Sequence, residues 1–140
     1  MQVVITIEGS QADVLEQELD EQVQFSTDGE YSCVDGCGML TYPESELTGM
    51  AGTITTITFT PSNAVLKRTG TVTSRMVFAS GTRNTFLYQT PYGTSTVGLE
   101  TQHYRSTLGE RGGVLELLYV VDFDHACANR NRLRITVREQ

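Results

Sequence analysis

A histidine and an arginine two positions apart, His103 and Arg105, form a pair suited to hold an anion. Both lie in segment 95–107, whose alternation predicts a strand, so they share a face with Val97, Leu99 and Thr101. If that face points inward, an imidazole and a guanidinium stand near one end of the interior, where they could receive a carboxylate or a phosphate. If the inner face ends before His103, or a bulge turns the strand over, both side chains lie in solvent.

Arg68 and several tyrosines complete the predicted ligand-binding set. Arg68 precedes Gly70 at a tight turn, where a guanidinium commonly ties down loop carbonyls or pairs with a glutamate. The tyrosine hydroxyls could line a cavity, or the rings could simply fill core positions; the tyrosines concerned are Tyr88, Tyr92, Tyr104 and Tyr119. The predicted ligand-binding residues are Arg68, Tyr88, Thr101, His103, Arg105 and Tyr119.

Three cysteines provide candidate metal ligands. Cys33 and Cys37 stand at either end of a predicted hairpin turn, and Cys127 lies far along the chain. Structural zinc usually takes four ligands from two close pairs, and the second pair is missing. A disulfide across the turn is sterically conceivable, but cytosolic thiols are kept reduced. We therefore predict buried or half-buried thiols and no metal site.

A second cluster, Asp122, Asp124 and His125, resembles a metal or acid/base group. Two carboxylates on one face of a strand would lie roughly 6 to 7 Å apart, close enough to share an ion. These residues end a predicted strand, however, where aspartate commonly caps a turn or keeps a loop soluble. We predict that structural role.

Motifs that identify an enzyme are absent from the sequence. It has no Gly-x-Ser-x-Gly elbow, phosphate-binding glycine loop, dinucleotide fingerprint or His-Glu-x-x-His, and it has two histidines. We predict a protein that is not an enzyme, with no catalytic residue and no cofactor.

Composition limits the class of partner. The 140 residues carry 17 Asp and Glu against 10 Lys and Arg, a net charge of −7 whose field repels phosphate backbones and anionic membranes. The first residues show no export signal, and no apolar run approaches the roughly 20 residues of a membrane span, so we expect a cytoplasmic protein. Residues 130–138 nevertheless carry four arginines, which leaves room for a local basic face.

Period-two alternation recurs along almost the whole chain. Residues 114–123 and 131–138 show it most clearly, and turn signals such as Asp35-Gly36 and Ser80-Gly81 interrupt it at short intervals. Strands are predicted near 2–8, 20–27, 30–34, 37–42, 53–59, 64–69, 72–78, 85–90, 95–107, 114–124 and 131–138. Residues 11–19 carry a thin apolar stripe and are expected to form a loop rather than a helix. The pattern predicts one all-β domain over residues 1–140, a closed antiparallel, mostly up-and-down barrel of about 8–10 strands.

Four segments together resemble the YwiB-like bacterial family, a domain family of unknown function with a lipocalin-like (calycin-like) β-barrel. The segments are 42–45 with Gly49 and Met50, 68–70 with 76–78, 88–93, and Thr101 ahead of 115–119. The resemblance implies a fold and a cytosolic setting, and it brings no activity, ligand or site residue. It does not cover residues 8–22 or the hairpin between Cys33 and Cys37.

These features favour two functions, and a small enzyme that uses His103 or the group of Asp122, Asp124 and His125 is a remote third. The first is a non-enzymatic module that binds a small, anionic or partly apolar molecule in the barrel or at its mouth. The second is an interaction protein with a filled interior that works through its exterior, where the arginines of 130–138 suit a homodimer or an acidic partner. An open polar cavity would favour the first function, and a dry, filled interior the second.

Overall fold

The structure, a computed structural model, describes residues 1–13, 21–46, 50–123 and 126–140. Ten strands are β1 (Gln2–Asp13), β2 (Glu21–Val34), β3 (Cys37–Pro43), β4 (Thr53–Phe59), β5 (Asn63–Gly70), β6 (Ser74–Ala79), β7 (Arg83–Thr90), β8 (Gly93–Ser106), β9 (Gly112–Phe123) and β10 (Ala126–Glu139). These residues contain no α-helix. No helix long and apolar enough to cross a bilayer occurs in the described part of the chain.

The strands follow the predicted alternation closely, with two differences. The segments predicted at 20–27 and 30–34 are one continuous strand, β2, because both its neighbours pair with it. Strand β1 runs on through Asp13, since residues 11–13 pair with β10, and so the first residues of the expected loop are strand. The rest of the segment expected as a loop, 14–19, lies outside the described residues.

The strands form one antiparallel meander that curls into a nearly closed barrel. Their order is β6-β5-β4-β3-β2-β1-β10-β9-β8-β7, so every strand pairs with its neighbour in sequence except at one seam. The long first and last strands pair in register from Val3 with Glu139 to Asp13 with Asn129. The consecutive strands β6 and β7 face each other across the remaining seam. The predicted all-β, up-and-down, lipocalin-like barrel is confirmed.

The interior is filled mainly by apolar side chains from alternate positions. Strand β10 shows the rule, because Ile135 and Val137 are buried whereas Arg132 and Arg138 are exposed. Tyr31 stacks on Phe59 with ring centroids 5.9 Å apart. Each fully buried Val, Leu, Ile or Phe contributes about 1.5–3 kcal/mol through burial. Among the described residues, the buried polar side chains of the interior are Glu44 just after β3, Thr53 and Thr55 of β4, Ser74 of β6 and Thr101 of β8.

Candidate functional site

A β-bulge decides where His103 and Arg105 lie. The pairing of β8 with β9 shifts between Thr101 and His103, so Gln102 is an extra residue in the ladder. Thr101 is 1% exposed and faces inward, but the shift turns His103 and Arg105 onto the exposed outer face. Of the two placements that the sequence left open, the structure has the outward one, and this pair does not line the interior.

A row of polar side chains crosses four neighbouring strands inside the barrel. Tyr42 pairs with Thr55, Thr55 with Arg68, and Arg68 with Ser74, from β3 to β6. Tyr42, Thr55 and Ser74 are buried, and Arg68 is half-buried among them. We call these four residues the polar row. Only Arg68 was predicted as a site residue.

Arg68 brings a positive charge into the barrel wall. It follows the buried Ala64 and Leu66 in the alternation of β5, and its Nη1 lies 3.6 Å from the sulfur of Met76. Its Nε is buried and donates no hydrogen bond, and no carboxylate of the described residues lies within ion-pair distance of the guanidinium. The sequence predicted that Arg68 ties down a turn or pairs with a glutamate. Its contacts show neither interaction among the described residues.

Two buried tyrosines lie within the electrostatic reach of Arg68. Burial raises the pKa of both Tyr42 and Tyr119 above the ordinary value, and the nearby positive charge of Arg68 opposes part of that rise. Tyr42 also hydrogen-bonds with Glu44, whose Oε1 accepts a 2.7 Å hydrogen bond from the hydroxyl of Thr55. Both phenols are therefore neutral at physiological pH. The O–H of Tyr42 is engaged by Glu44, which leaves Tyr119 as the phenol that can donate to an anion.

Two further hydroxyls in the interior have no partner. Ser74 is 5% exposed and Thr101 is 1% exposed, yet neither hydroxyl makes a hydrogen bond within the described structure. The backbone of Thr101 is fully used, since its N–H donates to the carbonyl of Thr82 at 3.0 Å and its carbonyl accepts from Gly81 at 2.9 Å. Buried hydroxyls normally find partners, so these atoms are candidates for contact with a ligand or water.

The barrel wall opens beside the polar row, between β6 and β7. Thr73 and Gln89 exchange two backbone hydrogen bonds of 2.9 Å at one end of the gap. Continuing this register would pair Arg75 of β6 with Leu87 of β7, but among the described residues these two strands are not hydrogen-bonded neighbours in the sheet. The side chain of Asn84 enters the gap instead and donates to the carbonyl of Val77 at 3.0 Å. We call this gap the seam opening.

A surface groove runs along the seam opening. Its volume is about 370 Å³, within the usual range for small-ligand sites. Ser74 and Phe86, both inward-facing and buried, line it together with exposed side chains, among them Lys67 and Arg75. The outer rim is therefore cationic, and Ser74 joins it to the polar row.

The tyrosines predicted to line a cavity have different roles. Tyr119 faces inward and packs edge-on against Phe78, with centroids 4.9 Å apart, and Tyr88 is half-buried against the core. The hydroxyl of Tyr104 donates to the carbonyls of Thr60 and Asn63 at 2.7 and 2.8 Å, and burial raises its pKa to about 12. Tyr92 is 99% exposed. Inward placement is thus found for Tyr88, Tyr104 and Tyr119, and the hydroxyl of Tyr104 also fixes a turn.

The cysteines of the hairpin point to opposite faces. Cys33 is buried, Cys37 is exposed, and both thiols are free. Their connection is a tight turn in which Asp35 and Gly36 have φ of 53° and 79°, as in the type I′ hairpin turn. Because they face different sides of the sheet, they cannot form a disulfide across the turn. The side chain of Cys127 lies outside the described residues.

Asp122 is engaged in an ion pair on the outer side of the wall. Arg83 donates to both of its carboxylate oxygens, at 2.8 and 3.2 Å, and the pair closes over Gly98, where a Cβ would meet Oδ1 at 2.7 Å. Asp124 and His125, the other members of that cluster, lie outside the described residues. Within the described ranges no three His, Cys, Asp or Glu side chains are placed to share a metal ion.

The sequence did not identify Tyr42, Glu44, Thr55 and Ser74 as members of an interior site. Strand β4 reads Thr-Ile-Thr-Thr-Ile-Thr-Phe, so threonine stands on both faces and the pattern does not show that Thr53 and Thr55 point inward. The segment 42–45 did carry part of the family resemblance. That was the one available signal.

Comparison with known proteins agrees with this fold. The crystal structure of the ywiB protein from Bacillus subtilis is similar, with a TM-score of 0.84 at 18% sequence identity over 99% of this chain and 92% of that chain. At such identity the likeness concerns the fold alone. No curated protein matches the sequence. The model of a family described as a domain of unknown function, DUF1934, matches residues 5–135. The predicted family resemblance is therefore confirmed, and the chain belongs to the DUF1934 family.

Proposed function

We propose that this protein is a binding module for a small anionic molecule with an apolar part, held at the polar row and reached through the seam opening. The observation that carries the proposal is that three of the four buried side-chain polar atoms without a hydrogen-bond partner among the described residues face the interior: Nε of Arg68 and the hydroxyls of Ser74 and Thr101. The fourth, Nε of Arg134, lies on the outer face. Leaving a buried donor unpaired costs about 1–3 kcal/mol, and a bound ligand would recover that free energy.

The charges of the site favour an anion. Arg68 supplies a guanidinium inside the wall, and Lys67 and Arg75 stand at the rim of an opening in a protein of net charge −7. A carboxylate or a phosphate group would accept hydrogen bonds from Arg68 and Ser74, which are paired in the sheet. The neutral phenol of Tyr119 lies close enough to Arg68 to interact with its charge. The carboxylate of Glu44 already accepts a hydrogen bond from Thr55. Because a second negative charge beside it would be repelled, the anionic group of the ligand is expected next to Arg68.

The surroundings of Arg68 also suit an apolar group. Met76 touches the guanidinium, Phe78 packs against Tyr119, and Phe86 lines the seam opening. The remainder of the interior is filled with apolar side chains, and a filled interior taken alone favours an interaction protein; the binding proposal therefore rests on the polar row and the groove at the seam opening rather than on an open cavity. The ligand is therefore small, with its anionic end at Arg68 and its apolar part toward the aromatic rings.

Native mass spectrometry of protein purified gently from its own host tests the proposal. We expect an additional small mass on the wild-type protein, lost in Arg68→Met and kept in Arg111→Met, a matched change at the exposed β8–β9 turn. Arg68→Met should fold at least as stably as wild type, because it removes an unpaired buried donor. Bare wild-type protein, combined with no rise in melting temperature on adding octanoate, would refute the proposal.

A further inference from the structure

The outer face of β8, β9, β10 and β1 concentrates positive charge. Strand β10 directs Arg130, Arg132 and Arg134 outward, and the bulge in β8 brings Arg105 and His103 to the same side. Together with Arg138 this face holds five of the ten Lys and Arg residues of a chain whose net charge is −7. We call it the cationic face.

Two adjoining grooves cross the cationic face and share Arg132. The first, of about 490 Å³, lies over β8, β9 and β10 and is lined by His103, Leu118 and Arg132 among others. The second, of about 430 Å³, lies over β10, β1 and β2 and includes Arg132 and Arg134. Leu118 of β9 pairs with His103 of β8 on one side and with Arg132 of β10 on the other. An apolar side chain is therefore flanked by an imidazole and a guanidinium.

Arg132 is the exposed cation that both grooves share. Arg134 is held by Glu116, with Nε 3.6 Å from Oε1, whereas Arg132 is exposed and has no ion-pair partner within the described ranges. An exposed guanidinium of this kind offers a bidentate contact to a carboxylate. Its position at the junction of the two grooves makes it the centre of the surface.

We propose that the cationic face docks an extended, acidic segment of another protein, with carboxylates at Arg132 and an apolar side chain on Leu118. The two grooves together span five strands from β8 to β2, about 19 Å at the usual strand spacing, a distance that about six extended residues cover. Electrostatic complementarity of this kind speeds encounter and selects the partner.

The charge pattern disfavours two other occupants. Two copies docked through the same face would bring two cationic faces together, which costs energy through like-charge repulsion; docking of the face on another surface of a second copy is left to the test below. Nucleic acid needs a continuous track of cations, and here Glu8 and Glu116 interrupt it in a protein of net charge −7. An acidic segment with spaced carboxylates can avoid both glutamates.

Fluorescence anisotropy with a labelled peptide of alternating Glu and Leu, about seven residues long, tests this inference. We expect salt-sensitive binding that Arg132→Glu weakens by about tenfold or more, as for loss of a direct charge contact. Arg111→Glu makes the same change in charge outside both grooves and should weaken binding less than about twofold. A matching peptide with Gln in place of Glu should not bind.

Several results would overturn the inference. One is the absence of binding at millimolar peptide; another is equal loss of affinity in Arg132→Glu and Arg111→Glu. Light scattering that shows a dimer, dissociated by Arg132→Glu, would assign the face to a second copy instead. Tighter binding of single-stranded DNA than of the acidic peptide, lost in the same variant, would assign it to nucleic acid.

Discussion

Replacing two buried threonines by valine should change stability in opposite directions. Thr101 and Thr55 are 1% and 0% exposed, and both face the interior. The hydroxyl of Thr101 has no hydrogen-bond partner within the described structure, whereas that of Thr55 donates to Glu44 at 2.7 Å. Valine has nearly the same shape as threonine, so each substitution mainly removes a hydroxyl.

The expected magnitudes follow from what each hydroxyl does. Removing the unpaired hydroxyl in Thr101→Val should raise the free energy of unfolding by about 1 kcal/mol, because a desolvation penalty disappears. Removing the hydroxyl in Thr55→Val should lower it by about 2 kcal/mol, the usual contribution of a hydrogen bond to a charged group. In a domain of this size, 1 kcal/mol corresponds to a shift of about 3 °C in Tm.

Urea unfolding followed by circular dichroism measures both variants against wild type. An unchanged m value would show that the midpoints report stability alone. A clear loss of stability in Thr101→Val would refute the reasoning, because it would mean that its hydroxyl is engaged. Equal shifts of the same sign would show that both changes act through packing.

Three further predictions concern titration, packing and thiol reactivity. Burial raises the pKa of Tyr104 from 10.0 to about 12, so the folded state keeps a proton that the unfolded chain releases. The contribution of this tyrosine to stability should be constant from neutral pH to about pH 10 and fall as the pH rises toward 12, and the other tyrosines whose pKa burial raises act in the same direction. Urea midpoints measured across that range check this, and a midpoint that rises with pH would contradict it. Gly98→Ala should lower the free energy of unfolding by about 1–3 kcal/mol in the same assay, because its Cβ would meet the Asp122 carboxylate at 2.7 Å; an unchanged midpoint would show that the ion pair moves freely. In a Cys127→Ser background, Ellman's reagent should react at once with the exposed Cys37 and with the buried Cys33 only on unfolding, and two fast thiols would contradict the assigned faces.

Much of the barrel could be predicted because alternation is a local property. In β10 the apolar residues and the arginines take strictly alternate places, so the two faces separate without knowledge of any neighbour. Turn residues such as Asp35-Gly36 mark where strands reverse, since few residues adopt the required positive φ. The meander followed from such local signals, whereas the family resemblance rested on four short segments of the sequence.

The candidate site depended on features that alternation does not contain. One extra residue, Gln102, reverses the faces of the strand beyond it, and this placed His103 and Arg105 outside although Thr101 lies within. Threonines on both faces of β4 left its orientation open until β3 and β5 paired with it.

The sequence by itself therefore determined the strands, their antiparallel order and the separation of an apolar face from a charged one, because each depends on spacing within a strand or turn. Only the tertiary structure decided that β1 pairs with β10, that β6 and β7 part around Asn84, and that Arg68 lies inside beside unpaired hydroxyls. The physical reason is that barrel closure and register are set by the sum of distant pairings, and a shift of one residue exchanges the inside of a strand with its outside.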